Sequence, residues 1–133
     1  GVMAGFASMP SLMNLMQGTW DKNEILESIC RFQLLVLDDL GAERATSYSA
    51  ETAYNIINAR YEARKPTVIT TNIALADMQR EPDPWYSRIY DRVIEMCPIP
   101  LRMDGESRRS GIADTRRQMA REFLFGAKSR KDG

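Results

Sequence analysis

The sequence predicts an α/β protein whose sheet is mostly parallel. Three observations predict it: a wholly apolar run, Leu34 to Leu37, that stops abruptly at Asp38 and Asp39; a β-branched run, Thr67 to Thr71, that stops at Asn72; and an amphipathic stretch between them. A strand apolar on both faces needs cover on both sides, as in buried parallel sheets. Strand, helix, strand is the unit from which such sheets are built.

The remaining elements follow in chain order. Val2 to Ala7 reads as a short strand ending at Ser8 and Pro10, after which Leu12, Met13, Leu15 and Met16 recur at helical spacing as far as Gly18. Asp21 caps a second helix carrying Ile25, Leu26, Ile29 and Cys30, and Glu24 follows the cap as in a capping box. Gly41 breaks the chain after the acidic pair. Ser49 opens the helix between the two strands, with Glu51 in its first turn, Ala53, Ile56, Ile57 and Tyr61 on one face, and Arg64 and Lys65 near its end before Pro66.

A short helical piece runs from Leu75 to Arg80, then Pro82 and Pro84 punctuate the chain. The next helix, Trp85 to Cys97, turns Tyr86, Ile89, Tyr90, Val93 and Cys97 inward and leaves Arg88, Arg92 and Glu95 together on the opposite face. Ile99 to Met103 reads as a last strand before a turn at Asp104 and Gly105. Ile112 to Phe125 reads as an arginine-rich amphipathic helix, so one domain is expected over 1–125 and a flexible tail over 126–133.

Composition narrows the chemistry. Lys plus Arg number 18 and Asp plus Glu number 18, so no global charge draws the chain to nucleic acid or to an anionic membrane, and any DNA contact is local. Histidine is absent, which removes Ser/His/Asp and Cys/His nucleophilic machinery and the commonest neutral metal ligand. Cys30 and Cys97 lie far apart in apolar stretches without metal-site or disulfide spacing, which fits a reducing cytoplasm. No apolar run approaches the roughly 20 residues that cross a bilayer, and the start of the chain lacks the pattern of a signal peptide.

What remains is carboxylate, amide and guanidinium chemistry. Carboxylates at the C-terminal end of a buried parallel strand lie where α/β folds bind ligands, and in nucleotide-hydrolysing folds such an Asp holds the magnesium of a triphosphate. Asp38 is the metal-side candidate, and Asp39 is the candidate for polarising an attacking water. An amide at the next strand's end, Asn72, can hold that water. Arg88 and Arg92 can neutralise phosphoryl charge on a neighbouring subunit, or else form a solvated face paired with Asp91 and Glu95.

The order LLVLDDLGAE, KPTVITTN, RIYDRVIEMC and a closing GES-R-R segment resembles the C-terminal half of DnaC-type helicase loaders and of the related IstB-type transposition ATPases. That resemblance implies a partial AAA+ fold, a P-loop NTPase αβα sandwich, with Asp38 and Asp39 as the Walker B pair and Asn72 as sensor 1. It implies Arg92 as the arginine finger acting in trans, with Arg88 the adjacent candidate, and Arg109 or Arg108 as the nucleotide-sensing arginine. It further implies that Trp20, Thr46 and Tyr48 meet single-stranded DNA in the pore of a spiral assembly, where an aromatic side chain stacks on bases without sequence preference. A core-capping role is the alternative for Trp20.

ATP, Mg2+, a replicative helicase, single-stranded DNA and other copies of the same subunit are the implied cofactors and partners. A membrane is not among them. The motif GxxxxGK[ST] is absent from the 133 residues, so the Walker A strand and loop are expected upstream of Val2, and the chain alone is expected to bind ATP weakly or not at all. Three functions are compatible: helicase loading, assistance to a transposase, and a non-enzymatic interaction module derived from such a domain.

Overall fold

A computed structural model describes residues 1–45, 50–104 and 117–124. The chain divides after Pro100 into two units. In the first, β1 (Ala4–Ser8), α1 (Met9–Gly18), α2 (Lys22–Arg31), β2 (Leu34–Leu40), a 3-10 turn (Ala42–Ala45), α3 (Ala50–Ala63), β3 (Thr67–Thr71), α4 (Leu75–Gln79) and α5 (Pro84–Met96) follow in order. In the second, residues 117–124 are helical.

The three strands form one sheet in the order β1-β2-β3, both pairings parallel, so the α/β expectation holds. Parallel strands laid down in sequence order, each joined by a right-handed crossover, place both crossovers on one face. Accordingly Leu35, Leu37 and Leu40 of β2 share a core with Met9, Leu12, Met13 and Met16 of α1, Ile29 of α2, Ala53, Ile56 and Ile57 of α3, and Tyr86, Ile89, Tyr90 and Val93 of α5. The other face carries a register-aligned apolar row, Phe6 beside Val36 beside Val68, of which Phe6 is 71% and Val68 48% exposed. Within this unit the helices whose buried residues form the core share the face of Leu35, Leu37 and Leu40.

Local chemistry fixes the helix starts. Ser8 caps α1 by accepting the Ser11 N–H, with Pro10 in the first turn; Asp21 caps α2 through the Glu24 N–H; Asp83 caps α5 through the N–H groups of Trp85 and Tyr86, with Pro84 at the first helical position. The chain leaves α3 through Arg64 at φ 54°, a left-handed exit usually made by glycine.

One expected element does not form. Residues 99–103 are not a strand, and Ile99, Leu101 and Met103 are exposed. Pro98 and Pro100 flank Ile99 and remove two of the backbone donors that a ladder needs. The helix expected over 112–125 is described only over 117–124, and Gly105 lies outside the described residues.

Candidate functional site

The site is built on an irregularity at the C-terminal end of the central strand. Leu37 pairs with Ile69 and Leu40 with Thr71, so three steps on β2 span two on β3 and one extra residue bulges out at Asp38–Asp39. Asp39 absorbs the bulge with φ at 58°, a left-handed conformation that aspartate tolerates better than most residues. Leu40 is thereby returned to the core, and the two acidic side chains remain outside it, Asp38 half-buried and Asp39 exposed.

Thr70 closes the bulge from the neighbouring strand. Its hydroxyl donates to Asp38 Oδ1 at 2.5 Å and accepts the Asp39 N–H at 3.0 Å. The next residue, Thr71, donates from its hydroxyl to the Leu40 carbonyl at 2.7 Å, which locks the two strand ends together. Asn72 follows immediately and is exposed. Asp38, Asp39 and Asn72 therefore stand at adjoining strand tips, as the sequence places them. Thr70 belongs to the same group, and sequence reasoning passes over it because it looks like one more β-branched strand residue.

Behind the tips the chain turns sharply. Gly41 has φ 102°, and a Cβ there would stand 2.6 Å from Ile73 Cδ1. The 3-10 turn that follows is latched to α5. Arg44 makes two charge-assisted hydrogen bonds to Glu81, at 2.9 and 3.1 Å, donates to Tyr90 Oη at 3.2 Å, and stacks over the Tyr86 ring at 4.1 Å. Glu43 beside it is buried and accepts the Gly41 N–H at 2.7 Å. Burial pushes the Glu43 carboxyl above its ordinary value, whereas the Arg44 hydrogen bonds hold Glu81 below it.

The two arginines of α5 lie off its buried stripe and have different neighbours. Arg88 is exposed, with the Trp85 ring 5.9 Å away. Arg92 and Glu95 follow at i+4 and i+7 on the same side of the helix and lean on α3, because α3 and α5 pack side by side. Arg92 donates from Nε to Asn58 Oδ1 at 2.7 Å, and its guanidinium carbon lies 5.1 Å from the Tyr54 ring centre and 5.0 Å from that of Tyr61. Glu95 accepts the Tyr61 hydroxyl at 2.9 Å.

Trp20 is 104% exposed in the turn between α1 and α2, so it caps no core. Thr46, Tyr48, Arg108 and Arg109 lie outside the described residues. A surface groove of about 650 Å³, lined by Arg60, Lys65, Pro66 and Glu95 among others, opens near the start of β3, at the end of that strand opposite Asn72. No helix among the described residues is long and apolar enough to cross a membrane.

Among the described residues no three carboxylate, thiol or imidazole groups converge to cage a metal ion. The donors at the tips are hard oxygens of two carboxylates, which fits Mg2+, an ion usually held by one or two carboxylates together with substrate phosphates.

Comparison with known proteins is decisive at the family level. The family described as IstB-like ATP binding protein matches residues 4–115. The chain belongs to this family. No curated protein matches it. Among solved structures, one titled "Crystal Structure of the DnaI" superposes with a TM-score of 0.51 at 25% identity, covering 66% of this chain and 51% of that one. This IstB-like chain thus spans about half the length of the solved one, and its α/β sheet is consistent with part of a P-loop NTPase fold.

Proposed function

We propose that this chain is part of an AAA+ ATPase that loads a replicative hexameric helicase onto single-stranded DNA, supplying the Walker B, sensor 1 and arginine-finger groups. The observation that carries the reading is the clasp at the strand tips: two carboxylates on the central strand, one oriented by Thr70, with the Asn72 amide directly beyond. The likeness to the DnaI structure, with the family match, supports a DnaC/IstB-type AAA+ function.

In this reading ATP and water become ADP and phosphate. Asp39 takes the proton of the attacking water that Asn72 holds by its amide, a bond forms from that oxygen to the γ-phosphorus, and the bridging electron pair leaves with ADP. Asp38 would hold Mg2+, which when bound would supply charge neutralisation for the triphosphate. Arg92 reaches a neighbouring subunit's nucleotide, a contribution on the order of 10³-fold or more in related folds. The triphosphate cradle is a Walker A loop, a motif that these 133 residues do not contain. Trp20 and the segment holding Thr46 and Tyr48 contact DNA, and Arg109, or Arg108, reads the nucleotide.

The family match favours a second reading, in which the same ATPase core assists a transposase. ATP turnover of the complete protein, with and without single-stranded DNA, tests the common core: Asp38→Ala and Arg92→Ala should each lower stimulated turnover strongly while leaving a measurable residual rate, and turnover indifferent to both would refute it. Co-purification of a hexameric helicase with the complete protein, against co-purification of a transposase, separates loading from transposition.

A further inference from the structure

We infer that Asn58 is a positioning residue for Arg92, holding the guanidinium in place through a neutral acceptor so that its full charge stays available to an anionic group on a second copy of the chain. The inference rests on the trans role proposed for Arg92. It adds the device that makes an arginine on a helix surface able to act without first being ordered.

The geometry accounts for every part of the Arg92 head group. Its Nε–H is taken by Asn58 Oδ1 at 2.7 Å, and the rings of Tyr54 and Tyr61 lie 5.1 and 5.0 Å from its central carbon. An arginine has five N–H donors, and one is used here, which leaves the four on the terminal nitrogens. Among the described residues none of those four has a hydrogen-bond partner, and no carboxylate lies within ion-pair distance of Arg92.

Two neighbouring acids could have neutralised it, and both are engaged elsewhere. Glu95, three residues along α5 and so on the adjacent helical face, accepts the Tyr61 hydroxyl at 2.9 Å. Glu62 accepts Asn58 Nδ2 at 3.2 Å, which also fixes which way the Asn58 amide faces. An aspartate at 58 would hold Arg92 equally well but would cancel its charge. Preordered donors aimed at developing charge stabilise a transition state without reorganisation, whereas a loose group must be ordered during the reaction.

The test is steady-state ATP turnover of the complete protein with single-stranded DNA, alongside thermal melting. Asn58→Ala should lower kcat about ten-fold with KM for ATP unchanged. Asn58→Asp, paired with Glu62→Gln so that no second carboxylate faces the new one, should lower kcat at least as much while leaving the melting temperature the same or higher, a combination that loss of structure does not produce. Adding either change to Arg92→Ala should lower kcat no further. Wild-type kcat in Asn58→Ala or Asn58→Asp, with Arg92→Ala impaired, overturns the Asn58 role and leaves that of Arg92 standing; so do losses that multiply in the double variants. Wild-type kcat in Arg92→Ala removes both.

Discussion

Thr70 and Asp38 are joined across the sheet by a hydroxyl-to-carboxylate hydrogen bond of 2.5 Å, and the same hydroxyl accepts the Asp39 N–H at 3.0 Å. One side chain thus sets both the orientation of the Asp38 carboxylate and the backbone of the residue after it. Thr70→Val keeps the β-branched shape and removes both bonds. Turnover of the complete protein should fall about ten-fold or more, whereas Thr70→Ser should stay within about three-fold of wild type. Because Thr70 is exposed, the melting temperature should hardly change in either variant. Equal activity in Thr70→Val and wild type would show that the clasp has no part in the chemistry.

Gly41 is the second point where one atom decides the geometry. With φ at 102° and Ile73 Cδ1 2.6 Å from an added Cβ, Gly41→Ala meets both backbone strain and a clash. Urea unfolding of the chain should show a loss of about 1–3 kcal/mol. Gly41→Ala combined with Ile73→Val or Ile73→Ala should recover the part due to the clash and leave the part due to φ.

The acids at the latch titrate with opposite consequences. Burial raises the Glu43 carboxyl above its ordinary 4.5, so the fold holds that proton more tightly than the unfolded chain does, and stability drains away as pH rises from about 4.5 through the raised value. Glu81 is lowered by its Arg44 hydrogen bonds, so its contribution is complete above about 4.5 and is lost as pH falls through the lowered value. Glu43→Gln should therefore raise the urea midpoint at neutral pH and flatten the decline above about 4.5. Glu81→Gln should lower the neutral midpoint, with an effect that shrinks in acid. A Glu43→Gln midpoint that is unchanged at every pH would contradict this.

Much of this arrangement is legible in the sequence, for identifiable reasons. β3 falls over Thr67–Thr71 as expected because Pro66 and Asn72 bracket a β-branched run, and Tyr86, Ile89, Tyr90 and Val93 are buried because their spacing matches a single helical stripe. The acidic pair at the tip of β2 was equally visible. Pattern alone does not reveal the bulge, since a slip in register depends on the neighbouring strand, and Thr70 becomes notable only through that slip. The surroundings of Arg92 were hidden for a similar reason: a helical wheel gives its angle on α5 but not the presence of α3 beside it. The expected strand at 99–103 does not form because the two prolines outweigh the apolar pattern.

Arg60 was also invisible, reading as an ordinary basic residue near a helix end, yet it is 0% exposed. It donates from Nε to Thr67 Oγ1 at 3.0 Å, from Nη1 to the carbonyls of Ile29 at 3.0 Å and Phe32 at 2.8 Å, and from Nη2 to the Pro66 carbonyl at 2.7 Å. It thereby ties the end of α2 and the entrances of β2 and β3 to α3. Burying a guanidinium is costly, and burial does lower its proton affinity. Replacing a buried charged group by an apolar one can be neutral when both partners are replaced together. Here the acceptors are chiefly main-chain carbonyls, which no substitution removes; the Pro66 carbonyl keeps the Leu35 N–H at 3.2 Å, but Arg60→Met takes the guanidinium from the Ile29 and Phe32 carbonyls. The loss should be about 3 kcal/mol or more by urea unfolding. Arg60→Lys keeps the charge but not the planar fork, so it should recover only a minor part. A midpoint for Arg60→Met equal to wild type would mean that water takes over the Ile29 and Phe32 carbonyls and that the buried arginine is dispensable for the fold.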